Sequence, residues 1–176
     1  HQCDRRQRQM CIRDRILSAD EMANLTHLND LGDAEMVDIT SKEPTARTAI
    51  AEALVDLTPK VAKAISDKTL EKGDLFSTAR IAGIQAAKRC SELIPLCHTI
   101  PISKISVKFE QDKSVLRIEV FCKSYFKTGV EMEALTAASV SALTIYDMCK
   151  GIDKGIVIGP VRLIEKTGGK SGTWRV

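Results

Sequence analysis

The sequence predicts an α+β domain in which helices pack on one face of an antiparallel sheet. Three observations predict it: two apolar runs of period two flanking a short polar turn, longer stretches with apolar residues spaced at three and four, and one more apolar strand near the carboxyl end. At 176 residues with 44% hydrophobic residues, the chain suits one ordinary domain with a true core. Aromatic residues are only 4%, so small and branched aliphatics must build that core, and an aromatic platform for single-stranded nucleic acid is disfavoured.

The elements follow in order. Residues 1–21 hold four arginines between Arg5 and Arg13 and no periodic apolar face, and they are set aside as a disordered or non-native extension, leaving residues 22–176 as the domain. From Ser41, with Pro44 in the first turn, the set Ala46, Ile50, Ala53, Leu54, Leu57, Val61 and Ile65 recurs at helical spacing, with a break at Pro59 that Thr58 can cap. After the polar turn Lys72-Gly73-Asp74, Ser77 to Leu93 reads as a helix with a small-residue face of Ala79, Ala82, Gly83, Ala86 and Ala87. Pro95 and Pro101 bracket an extended loop. Ile105, Val107 and Phe109, then Leu116, Ile118, Val120 and Cys122, alternate with polar neighbours around Gln111-Asp112-Lys113-Ser114, the pattern of an antiparallel hairpin. A further helix runs from Glu131 to Gly151, a last strand from Ile156 to Lys166, and Gly168 to Gly172 reads as a mobile tail. Elements in this order suggest a ferredoxin-like arrangement, with the helices covering one sheet face.

The formal net charge of +3 is mild and its cations are interspersed with acids beyond the first fifteen residues, which disfavours a general nucleic-acid binder and leaves room for a small anionic ligand. Six cysteines show no C-x-x-C pair, and no apolar run has the length of a membrane span, so reduced thiols in a soluble, intracellular protein are expected.

Chemistry concentrates in the helix from Glu131 and its surroundings. Asp147 and Lys150, three apart, share a helix face as an acid and base or as a plain surface ion pair. Fourteen positions separate Glu133 from Asp147, about 21 Å at 1.5 Å per residue. One copy of that helix can hardly present both to the same atoms, so a shared site needs a long substrate or a second chain. His98 sits in the proline-bracketed loop, either for proton transfer or phosphate contact or simply bonded to backbone. Cys97 beside it reads as structural, and metal-ligand spacing is absent. Lys72, Lys150, Lys166, Lys170 and Arg80 are cations available to phosphates or merely solvated. Gly169-Lys170-Ser171 is no P-loop, because the glycine needed five positions earlier is Ile164, and no dinucleotide fingerprint occurs.

Five blocks carry a resemblance: Lys72 to Asp74, Ala79 to Lys88, Leu93 to His98, Thr128 to Thr136 and Ile145 to Lys150 resemble the cyclic pyranopterin monophosphate synthase family, the C protein of molybdenum cofactor biosynthesis. The likeness covers nearly everything from Met22 to Val176. It implies a lyase that converts (8S)-3',8-cyclo-7,8-dihydroguanosine 5'-triphosphate to cyclic pyranopterin monophosphate and pyrophosphate. It implies Asp147 and Lys72 as catalytic residues, and Leu96, Cys97, His98, Met132, Glu133, Glu131, Lys150, Lys166, Lys170 and Arg47 as substrate-binding. A homohexamer, a trimer of dimers with the site at the dimer interface, is likewise implied, with no nucleic-acid or membrane partner. No cofactor is required by the sequence, although magnesium can accompany the triphosphate. The compartment implied is cytoplasmic, or the mitochondrial matrix for a eukaryotic protein. Two rival readings stand beside it: an oligomeric module that binds a triphosphate nucleotide without changing it, and a purely structural oligomer built on the small-residue helix.

Overall fold

Residues Ala49, Ala51, Ala53 and Val55 occupy alternate positions, and in the computed structural model, which describes residues 31–176, all four are buried along one strand, β1 (Thr45–Asp56). This corrects the helix expected from Ser41 onward. The helical spacing of Ala46, Ile50, Ala53, Leu54 and Leu57 runs through the same residues as this alternation, and the antiparallel neighbours on both sides of β1 settle the matter. The expected break is there: the Thr58 hydroxyl accepts a bond from the Val61 N–H at 3.4 Å and opens α1 (Pro59–Ser66) with Pro59 in its first turn. The chain divides after Val37, and everything below lies in the unit Asp38–Val176. The extension assigned to residues 1–21 falls outside the described residues.

The Asp74 carboxylate accepts from the Ser77 N–H at 3.0 Å and opens α2 (Leu75–Lys88). The span read as one helix to Leu93 is completed by a separate turn, α3 (Cys90–Leu93). The hairpin is as expected, β2 (Ile102–Asp112) joined to β3 (Val115–Phe126). The long helix α4 spans Glu131–Cys149, and β4 follows over Val157–Thr167. Gly168 to Gly172, read as a mobile tail, form a turn, and the chain beyond them returns as β5 (Trp174–Arg175), which pairs with Glu165 and Lys166 of β4. Two residues give no periodicity to read, and the pairing is supplied by the edge of β4.

The sheet runs β2-β3-β1-β4-β5, antiparallel throughout. Taking β1 to β4 alone, the spatial order four-one-three-two with helices after β1 and after β3 is the ferredoxin-like topology that the element order suggested. Helices cover one face. Beneath them Leu116, Ile118, Val120 and Cys122 join the buried residues of β1, against Ala134, Ala138, Ala142 and Ile145 of α4.

α2 and α4 approach closely because the facing residues are small. A Cβ on Gly83 would overlap the Ser141 hydroxyl and lie 3.0 Å from the Ala137 carbonyl oxygen. The Ser141 hydroxyl in turn donates to the Ala79 carbonyl at 3.1 Å, which satisfies a polar group buried between helices. On the other face of the sheet Glu52 is 5% exposed and accepts from Arg117 and Arg162, each at 2.8 Å. Burial opposes its charge, but those two hydrogen bonds outweigh burial and hold its pKa below the usual carboxylate value. The pairing joins three adjacent strands, β3, β1 and β4.

Gly83→Ala should lower the unfolding free energy by about 2 kcal/mol in urea titrations, since backbone and a buried hydroxyl must both yield to one methyl. An unchanged midpoint would mean that the helices do not depend on that approach.

Candidate active site

α4 places one charged cluster at its end. Asp147 and Lys150 lie three apart across its last turn, and the Lys150 ammonium is 2.7 Å from Asp147 Oδ1. Lys72, on the turn that leads into α2, reaches the same residue: its Nζ donates to the Asp147 backbone carbonyl at 2.9 Å and lies 3.6 Å from Oδ2. The hydrogen bond from Lys150, then the charges of Lys150 and Lys72, hold the Asp147 carboxyl below its ordinary pKa, and Asp147 raises that of Lys150. Asp147 is therefore a carboxylate at neutral pH, able to accept a proton, with an ammonium on each side able to give one or to oppose phosphate charge. All three side chains are roughly half exposed, open to a ligand.

The other sequence-predicted residues gather toward the opposite end of α4. Glu131 and Glu133 occupy its first turn, and the Glu131 carboxylate lies over Gly129, where a side chain would displace it. Glu133 is only 3% exposed. Burial pushes its carboxyl up to about 7, with the charge of Glu131 adding to the shift. Cys97 lies close enough to feel the Glu133 charge, which brings the loop of Leu96, Cys97 and His98 to this end. Cys90 and Cys122 surround the same acid; burial pushes both thiols up to about 12 and raises Cys97 as well. Such thiols stay protonated at neutral pH, so none is an activated nucleophile. Among the described residues no group of His, Cys, Asp and Glu is arranged to hold a metal ion, and no helix is long and apolar enough to cross a membrane.

Arg47 begins β1 on the side of the sheet that α4 covers, paired with Ser124 of β3, whose hydroxyl donates to the Pro101 carbonyl at 2.9 Å. Gly168 and Gly169, at φ +94° and +75°, turn the chain beside it. A Cβ on Gly169 would overlap the Arg47 guanidinium, and one on Gly168 the Ala46 carbonyl, so only glycine fits both the backbone and the space. Arg47 Nε is buried without a hydrogen-bond partner among the described residues. Lys166 donates to the Ser171 hydroxyl, and Lys170 is exposed on the same turn. Met132 is 37% exposed on the first turn of α4.

Two groups escaped the sequence reading. The Lys127 ammonium donates to the Thr40 carbonyl at 2.6 Å, and Asp38 accepts from the Thr40 N–H at 2.8 Å. Those Thr40 bonds are the main reason the Asp38 pKa is lowered, with Lys127 and His98 adding to them, so Asp38 and Lys127 share the neighbourhood of His98. No motif pointed to them, since a lone acid in an irregular segment has no periodicity or spacing.

Glu133 supplies a pH test. Its folded pKa lies above the 4.5 of an ordinary glutamate. Stability is thus unaffected below about pH 4.5 and is lost as pH rises toward 7, where the charged form must be buried. The full penalty is on the order of 3 kcal/mol. The stability of Glu133→Gln relative to the unmodified protein should therefore rise by about 3 kcal/mol between pH 4 and pH 8 in urea unfolding. A difference independent of pH would show that Glu133 does not titrate on folding.

One chain thus divides the expected site residues into two sets held apart by α4: Lys72, Asp147 and Lys150 at one end, and the His98 loop and Glu133 toward the other. Comparison with known protein families gives this arrangement a context. The model of the MoaC family matches residues 36–169, which includes both sets and leaves Lys170 just beyond the match. With more than half of its 176 residues matched, the chain belongs to the MoaC family, whose role is in molybdenum cofactor biosynthesis.

Proposed function

We propose that the protein is a cyclic pyranopterin monophosphate synthase, a lyase that rearranges (8S)-3',8-cyclo-7,8-dihydroguanosine 5'-triphosphate to cyclic pyranopterin monophosphate with release of pyrophosphate. The observation that carries the reading is the Asp147 carboxylate held between the Lys72 and Lys150 ammonium groups at one end of α4. A triphosphate alone would be met by cations alone. A carboxylate set among them repels phosphate, and its presence is accounted for if it takes a proton from the ring system as the skeleton rearranges.

In this reading Asp147 acts as base and Lys72, hydrogen-bonded to the same residue, delivers a proton. Lys150, Lys166, Lys170 and Arg47 oppose the charge of the phosphates, and the Arg47 Nε, without a hydrogen-bond partner among the described residues, fits an anion contact. Closure of the cyclic phosphate forms a new bond to the α-phosphorus and breaks its bond to the bridging oxygen, which leaves with pyrophosphate. His98, with Leu96, Cys97 and Met132, holds the base and sugar. Glu133, whose carboxyl burial pushes up to about 7, and Glu131 line the same end. Any magnesium enters with the triphosphate.

A second copy accounts for the separation along α4. Glu133 and Asp147 are about 21 Å apart along one helix, more than a single nucleotide's reacting centre spans. The end bearing Asp147 from one chain and the end bearing His98 from its neighbour would complete each cleft in a dimer, with three dimers forming a hexamer. A soluble compartment, the cytoplasm or the mitochondrial matrix, suits this chemistry.

Incubation of the protein with the cyclised triphosphate should yield pyrophosphate and a product that oxidises to a fluorescent pterin. Affinity without pyrophosphate release would favour the alternative, a non-catalytic module that binds a nucleotide triphosphate. Asp147→Asn and Lys72→Ala should each reduce turnover by about a hundredfold or more, and near-native rates in both would remove them from the chemistry. Mixing inactive Asp147→Asn with inactive His98→Ala, after dissociation and reassembly, should restore roughly a quarter of the activity, since mixed dimers regain one intact cleft of two. Absence of recovery in verified mixed oligomers would place each site within one chain.

A further inference from the structure

A cavity of about 570 Å³ opens between the end of α1 and the start of α2, and none of Lys72, Asp147 and Lys150 lines it. Ile65, Leu70, Leu75 and Phe76 form its apolar walls, and Lys68 and Arg80 bring cations to it. That volume and that mixture, mostly apolar with a few polar groups, are those of a small-molecule site. The aromatic component is organised: Phe76 packs against Phe109 with ring centroids 5.0 Å apart, and the Arg80 guanidinium lies 5.4 Å over the Phe109 ring. Arg80 Nε donates to the Val107 carbonyl at 3.2 Å, which anchors the guanidinium plane, and among the described residues no hydrogen bond is made by its terminal nitrogens. Asp74, the one acid in the lining among the described residues, already accepts from the Ser77 N–H at 3.0 Å and hydroxyl at 2.6 Å. Two cations against one carboxylate leave a single positive charge, which matches a monoanion and not a triphosphate.

We propose that this cavity binds a small planar aromatic monoanion, and that its occupancy is coupled to the Lys72 end of the active site through the turn Lys72-Gly73-Asp74. Gly73 and Asp74 line the cavity while Lys72, directly before them, reaches Asp147. Gly73 holds the turn at φ +86°, so a ligand that shifts it moves the ammonium on the far side. The coupling rests on the catalytic reading above; the binding site does not.

The test is fluorescence titration of the intact protein with pterin-6-carboxylate, a planar monoanion, beside uncharged pterin and inorganic phosphate. Saturable binding of the carboxylate is expected, at least about tenfold tighter than either control. The exposed Lys68→Glu should weaken it about tenfold or more, and Leu70→Trp, which fills the space, should abolish it. Equal binding by uncharged pterin or by phosphate, or no saturation, would overturn the proposal. So would binding that Asp147→Asn removes and Lys68→Glu leaves intact, since the probe would then sit in the catalytic cleft. Hydrogen-exchange protection of residues 65–80 that rises with protein concentration and not with probe would assign the cavity to a neighbouring copy and likewise overturn it. In turnover assays the bound probe should change kcat and leave KM of the substrate unaltered; binding with no change in kcat would overturn the coupling. A protein with no turnover at all would refute the catalytic reading and leave the titration to decide the site.

Discussion

The approach of α2 to α4, which only a residue without a side chain at Gly83 permits, sets where the charged groups of this domain stand. Lys72 lies just before α2 and Asp147 near the end of α4, so their contact reports the distance between the two helices. Were a bulkier residue to wedge the helices apart, the bond from Lys72 to the Asp147 carbonyl would lengthen before the core lost much area. The small residues that looked like an interface signal are thus used within the chain, through Ala79, Gly83, Ala137 and Ser141.

The two ends of α4 place acids in opposite environments. Asp147 is exposed among ammonium groups and stays ionised, whereas Glu133 is enclosed by thiols and apolar side chains and its carboxyl is pushed up to about 7. Below that pH one helix carries both an ionised acceptor and a neutral acid, a difference produced by burial and neighbours alone. Glu52 shows the third possibility: as deeply enclosed as Glu133, it remains charged because two guanidinium groups reach it.

Much of this was legible in the residues. The β2–β3 hairpin declared itself by alternation, α4 by its length, and the span between Glu133 and Asp147 by arithmetic on a helical rise. β1 was masked because Ala46, Ile50, Ala53, Leu54 and Leu57 recur at helical spacing while Ala49, Ala51, Ala53 and Val55 alternate through the same run, and only its pairing on both edges selects the strand. The meeting of Lys72 with Asp147, 75 residues apart in the chain, is a tertiary fact that spacing cannot express. Nor could the burial of Glu133 be seen, since an acid in a first helical turn reads equally well as a solvated partner of the helix dipole. The residues proposed for the site could be named from the sequence; their burial and protonation could not.

The pair Gly168-Gly169 has a consequence for the order in which the molecule is made. Arg47 enters near the beginning of the sheet, yet the turn that walls its guanidinium is translated long after it, behind α4 and β4. A polypeptide emerging from the ribosome can therefore assemble the lysine and aspartate cluster while the arginine end is still unfinished.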